Sequence, residues 1–128
     1  MTRAHEIADG LTQVRERIDA ARLASRRADE VLLVVVTKTF PASDIAILAD
    51  LGVSDIAENR DQEARAKRAE LGATGDRLRW HMIGQVQRNK AGSVARWADV
   101  VESVDRPELV DALARGAQAA GRTMEALV

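Results

Sequence analysis

The chain has no cysteine and no tyrosine in 128 residues, and only one phenylalanine, two tryptophans, two prolines and two histidines. Without cysteine there is no disulfide framework, no thiolate metal site and no thiol nucleophile. The histidines, His5 and His81, stand far apart in the sequence and make no metal-ligand pair. Charge of one sign is not in excess either. Nineteen basic residues face twenty acidic ones, a net charge of −1, which gives no global pull towards nucleic acid or an anionic membrane. Long apolar runs are missing, since no segment approaches the roughly 18 residues a membrane-spanning helix requires. The opening Met1-Thr2-Arg3-Ala4-His5-Glu6 carries an acid early and no apolar run, so no signal peptide is expected and the cytoplasm is the expected location.

What is present is ordinary for one globular domain: 46% hydrophobic and 30% charged residues. The stretch that organises the rest is Val31-Leu32-Leu33-Val34-Val35-Val36-Thr37-Lys38-Thr39-Phe40-Pro41. Six apolar residues in a row, four of them valine, predict a strand buried on both faces, because a half-exposed strand would alternate. Pro41 ends strand pairing and suits a first helical turn. Between them, Lys38 falls where a parallel strand leaves its sheet, the place where α/β folds bind ligands. A lysine desolvated there would have a lowered pKa and act as a nucleophilic amine. A lysine that reaches past the strand end into solvent fits the same residues.

The remaining chain alternates strand and helix. An amphipathic helix is predicted over about Thr2 to Arg27, with Ile7, Leu11, Val14 and Ile18 on one face. A helix over Ser43–Leu51 stops at Gly52, and Val53–Ala57 is a weaker strand ending in Glu58-Asn59-Arg60. A helix over Asp61–Leu71 follows, and Gly72-Ala73-Thr74-Gly75-Asp76 reads as a flexible turn that does not fit the phosphate-binding GxxxxGK[ST] pattern. Leu78–Ile83 is a third strand closing on Gly84, followed by a helix through Trp97. Asp99–Val104 is a fourth strand. Asp105-Arg106-Pro107-Glu108 then starts a helix that runs to about Ala120, and Met124–Val128 opens a fifth strand.

Strands that recur without hairpin signals predict a parallel sheet with right-handed crossovers. Two architectures fit, a doubly wound five-stranded sheet or part of a (β/α)8 barrel, and length alone favours the former. Parallel strands would gather Thr37-Lys38, Glu58-Asn59, His81 to Gly84 and Ser103-Asp105 on one face. Each has a plainer reading. Asn59 could cap its helix, His81 between Trp80 and Met82 could be a satisfied core histidine, and Gly84 could only permit a tight turn. Arg88 and Lys90, with Trp97 beyond, read as a solvated helix face and not as a nucleic-acid patch.

Four segments carry a resemblance: Val-Val-Thr-Lys-Thr-Phe-Pro-Ala at 35–42, Ala-Glu-Asn-Arg-Asp-Gln-Glu at 57–63, Trp-His-Met-Ile-Gly-Gln-Val-Gln-Arg-Asn-Lys at 80–90 and Ser-Val-Asp at 103–105. In order and spacing they resemble the pyridoxal-phosphate homeostasis proteins, a family similar to the barrel domain of bacterial alanine racemases. The resemblance covers essentially the whole chain. It implies an α/β fold in which residues 1–128 form one incomplete barrel domain. Residues 1–27 would be an N-terminal helix, and residues 31–128 four β/α units with the start of a fifth strand, about half of a (β/α)8 barrel. It also implies pyridoxal 5′-phosphate as cofactor, held on Lys38 as a covalent aldimine, with Asn59, His81 and Gly84 near it. The family's phosphate contacts come from the other half of the barrel and have no counterpart here, so the cofactor would be held weakly or not at all. The implied role is buffering and supply of the cofactor, with pyridoxal-phosphate-dependent apo-enzymes as recipients and no turnover of its own.

Two other classes compete. A Schiff-base aldolase or racemase-like enzyme would use Lys38 with His81 as its acid or base. A non-catalytic module of flavodoxin-like topology would place its ligand at a sheet switch point. The barrel reading adds one expectation, self-association through open sheet edges along Val31–Val36.

Overall fold

The computed structural model describes residues 1–128. Thr2 starts the first helix, its hydroxyl accepting the His5 N–H at 3.2 Å, and α1 runs Arg3–Ser25. It ends at Arg26, whose φ of 57° turns the chain back. Then follow β1 (Val34–Val36), α2 (Ala42–Asp50), β2 (Asp55–Glu58), α3 (Asp61–Leu71), α4 (Ala73–Arg77), β3 (Arg79–Met82), a 3-10 turn (Arg88–Lys90), α5 (Ala91–Val94), β4 (Val100–Val101), α6 (Pro107–Ala120) and β5 (Glu125–Ala126).

All five strands are parallel and lie in the order β1-β2-β3-β4-β5. Such consecutive order is that of a (β/α)8 barrel and departs from the flavodoxin order 2-1-3-4-5. Register follows from the pairs Val34 with Asp55, Ala57 with His81, and Val100 with Glu125. Because strand side chains alternate, this register sorts the sheet into two faces. Ile56, Trp80, Met82 and Val101 belong to the buried cluster that the helices close over, with Ile45, Ala64, Trp97 and Leu109 from the helix layer. Asp55, Ala57, Arg79, His81 and Val100 share the other face.

Three expectations need correction. The Val31–Val36 run is not a central strand buried on both faces: only Val34–Val36 pairs, Val31 and Leu32 are 57% exposed, and Val36 is 48% exposed. β1 has one neighbour, β2, and of its three valines only Val35 packs against the core. Gly72–Asp76 is no flexible turn. It enters α4, where Gly75 is buried against the Arg68 carbonyl and accepts the Trp80 Nε1–H at 2.8 Å. Nor does a long helix lead to Trp97. A 3-10 turn and the single turn of α5 take its place, and α5 nests against α6 where Gly116 leaves no room for a Cβ beside Ala95 and Ala91.

Candidate functional site

The site grows from the β1–α2 turn. The Thr37 N–H donates to the Ala57 carbonyl at 3.0 Å, continuing the ladder one residue past β1. Lys38 and Asn59 therefore leave adjacent strands at the same level. Thr37 is buried, and its hydroxyl donates to the Glu58 carboxylate, which is fully buried at the end of β2. A buried carboxylate needs a cation, and Lys67 supplies it from one turn inside α3. Its Nζ lies 3.0 Å from both Glu58 oxygens, 3.0 Å from the Thr37 carbonyl and 2.9 Å from Glu63 Oε1. Three N–H donors thus meet three acceptor groups. Glu63 also accepts the Thr39 N–H at 2.8 Å. These two donors, the Lys67 ammonium first and the Thr39 amide second, hold the Glu63 carboxyl below its ordinary pKa. Thr39 itself sits at φ 70°, a left-handed conformation rare for a β-branched residue.

Lys38 lies between the two anchored threonines and is exposed. The desolvation expected from a central strand is absent, because β1 is the edge of the sheet. The chain's lysines are Lys38, Lys67 and Lys90. Lys67 is sequestered in the buried network, and Lys90 is exposed on the 3-10 turn.

One strand further, His81 is buried with both ring nitrogens occupied. Nε2 is 2.7 Å from Asp55 Oδ2 and Nδ1 is 2.9 Å from Glu102 Oε1. Ser54 donates to the other Asp55 oxygen at 2.7 Å. The register sets His81 level with Ala57 and Val36, two residues below Asn59 and Lys38. Gly84 has a steric role: a Cβ there would collide with the Asn59 carbonyl oxygen. Asn59 opens onto a cleft of about 390 Å³ shared with Arg60, Gln85, Gln87 and Lys90, which neither Lys38 nor His81 lines. Trp97 is buried with its Nε1–H on Asp61 at 2.8 Å, so its ring has no free face for a base to stack on.

The structure thus brings Asn59 and Gly84 into contact and sets Lys38 beside Asn59, while His81 is held below them. Sequence reasoning placed Glu58 at its strand end without its burial or its cation, and missed Glu63 and Lys67. The i, i+4 spacing of Glu63 and Lys67 was a visible signal. Nothing local marked Glu58 as buried.

A second clamp ties α1 to the same end of the sheet. Arg3 donates to both Asp44 oxygens, Nε at 3.1 Å and Nη2 at 2.7 Å, and its guanidinium stands 5.6 Å from the Phe40 ring centroid. The bonds from Arg3 hold Asp44 below its ordinary carboxylate pKa and Arg3 above its own.

No protein-family model matches the chain. Curated relatives do. A "pyridoxal phosphate homeostasis protein" of Mycobacterium tuberculosis is 46% identical over 128 residues, spanning 92% of this chain and 49% of its own. Proteins of the same name from Corynebacterium glutamicum and Escherichia coli are 48% and 42% identical over 101 and 106 residues. Among solved structures, PipY of Synechococcus elongatus, a COG0325 family member with PLP bound, superposes with a TM-score of 0.67 at 38% identity, over 84% of this chain and 51% of that one. An "unknown protein" from Bifidobacterium adolescentis superposes with a TM-score of 0.86 over 98% of this chain and 55% of that one, at 38% identity. The chain spans about half the length of the curated relatives it matches. By sequence and by fold, it is homologous to the amino-terminal half of the pyridoxal phosphate homeostasis proteins.

Proposed function

We propose that the chain is about half of a (β/α)8 barrel that holds pyridoxal 5′-phosphate as a Schiff base on Lys38 and serves cofactor homeostasis. When bound, the cofactor supplies an aldehyde that condenses with a primary amine, forming a C=N bond and releasing water. The chain supplies the amine. The observation that carries this reading is the placement of Lys38, an exposed amine at the carboxyl end of β1, on a turn whose other residues are tied down. In this reading Asn59 offers its amide from the adjacent strand end, His81 underlies that level of the sheet, and Gly84 lets the β3 loop close on Asn59. Release to pyridoxal-phosphate-dependent apo-enzymes belongs to the same proposal. The cytoplasm is its expected setting, and no helix is long and apolar enough to cross a membrane.

Geometry favours a carrier over a racemase-like or aldolase-like enzyme. An acid or base must reach the proton it moves. His81 is the one histidine near these strand ends, and it is buried with both nitrogens engaged. The test is incubation with excess pyridoxal 5′-phosphate, borohydride reduction and peptide mass spectrometry. The expected adduct is on Lys38, abolished by Lys38→Ala and unaffected by Lys90→Ala. Modification of another lysine with Lys38 unmodified overturns the assignment. Turnover of an amino acid or an aldol substrate would decide for the enzyme.

A further inference from the structure

We propose that Glu63, through the Thr39 N–H, is a positioning residue that fixes the backbone around Lys38 and so selects Lys38 over other amines for reaction with the cofactor aldehyde. This rests on the reading of Lys38 given above and adds to it the element that aims the amine.

Thr37 and Thr39 flank Lys38, and each is tied by its main chain to one side of the same α3 network. The Thr37 carbonyl takes an N–H of Lys67 at 3.0 Å, and the Thr39 N–H reaches Glu63 at 2.8 Å. Glu63 and Lys67 are themselves paired at 2.9 Å, one helical turn apart on α3, so the two ties share one rigid base. Thr39 is held at φ 70°. A β-branched residue stays in that region only where its surroundings impose it, and imposed strain beside a reacting group is a mark of preorganisation. Lys38 is exposed and would otherwise lose much side-chain and turn freedom on bonding, so fixing the turn beforehand removes part of that cost. The same network engages Lys67 on every N–H, which withdraws a competing amine.

The experiment compares adducts on Lys38 and Lys90 after timed exposure to excess pyridoxal 5′-phosphate and borohydride, in wild type and three variants. Glu63 is partly exposed in the first turn of α3, so Glu63→Ala leaves the buried Glu58–Lys67 pair in place. Glu63→Gln keeps an acceptor for the Thr39 N–H. Thr39→Gly keeps the N–H but frees the turn, since glycine adopts positive φ without strain. Wild type should modify Lys38 in preference to Lys90. Glu63→Ala should lower the Lys38-to-Lys90 ratio about tenfold, the scale of one charge-assisted hydrogen bond. Thr39→Gly should lower it less, and Glu63→Gln should keep most of it. Amide exchange of Thr39, slow in wild type, should become fast in Glu63→Ala without cofactor. An unchanged ratio in both Glu63→Ala and Thr39→Gly overturns the proposal, as does Glu63→Gln falling as far as Glu63→Ala, which would make charge the cause. Wild type that modifies Lys90 and spares Lys38 overturns the underlying reading instead.

Discussion

At Lys67, three N–H donors are matched to Thr37, Glu58 and Glu63, and Lys67, Thr37 and Glu58 are buried while Glu63 is partly exposed. Removing one partner of such a pair leaves a buried charge without compensation, whereas replacing both with apolar groups can be near neutral. Lys67→Met should therefore cost about 3–5 kcal/mol, a large share of a small domain's stability. Pairing it with Glu58→Leu should recover most of that. Urea unfolding of the single and double variants checks it, and a double variant no better than Lys67→Met would show that the pair itself is net stabilising. The network also marks how far the sequence could be read. Strand-end placement puts Lys38, Asn59 and Gly84 within reach of one another, and only the family resemblance singles them out, with His81, for a cofactor. Glu58 occupies the same kind of place, but its burial depends on Lys67 arriving from nine positions along the chain, and that meeting is tertiary. His81 was legible as it stands. Trp80 and Met82 beside it suggest a satisfied core histidine, and the ring is buried between Asp55 of β2 and Glu102, just past β4.

Between elements, two acidic contacts hold helices to the end of the sheet where Lys38 emerges: Glu63 from α3 on the β1–α2 turn, and Asp44 of α2 on Arg3 of α1. Both carboxyls titrate below their ordinary values. A carboxyl lowered in the folded state contributes stability that is complete above its unfolded pKa and is lost as pH falls through the folded value. The urea midpoint should thus hold on the neutral side of pH 4.5, the ordinary glutamate value, and decline below it. Glu63→Gln and Asp44→Asn should each flatten the decline. Salt should weaken the Arg3 contribution more, because that side chain is half exposed. Equal acid sensitivity in both variants and wild type would refute the assignment. Of the glycines, Gly84 leaves the least room for a Cβ, and Gly84→Ala should destabilise by about 1–3 kcal/mol through overpacking against Asn59. At this scale the sequence was informative wherever caps and periodicity are strong: α3 spans the expected Asp61–Leu71, and α1 and α6 begin and end within two residues of expectation. It misled at 72–76, where two glycines suggested mobility. There Gly75 is needed because Arg68 and Leu71 leave no room for a Cβ, and its carbonyl accepts the Trp80 Nε1–H.

For the whole molecule, parallel order could be inferred from alternating elements, but the depth of burial of β1 could not. An apolar run reports that a segment tends to be covered, without saying by which chain. In the isolated fold, β1 presents an unpaired backbone edge with Val31, Leu32 and Val36 exposed, and β5 presents another with Leu127 beside it. An apolar groove of about 440 Å³ runs between α1 and β1, lined by Ile7, Leu11, Val14, Val35 and Phe40. On the half-barrel reading these edges and this groove are where the remaining β/α units would pair and pack. Alone, such edges invite strand addition from a second copy. Sedimentation velocity should show an average mass that rises with concentration. Val36→Lys should suppress the rise, because a charge on an exposed edge position blocks pairing while Val36 contributes little to the core. Extending the chain to the full length of its relatives should suppress it as well. A wild-type chain that stays monomeric at high concentration and unfolds in one sharp transition would contradict self-association through these edges.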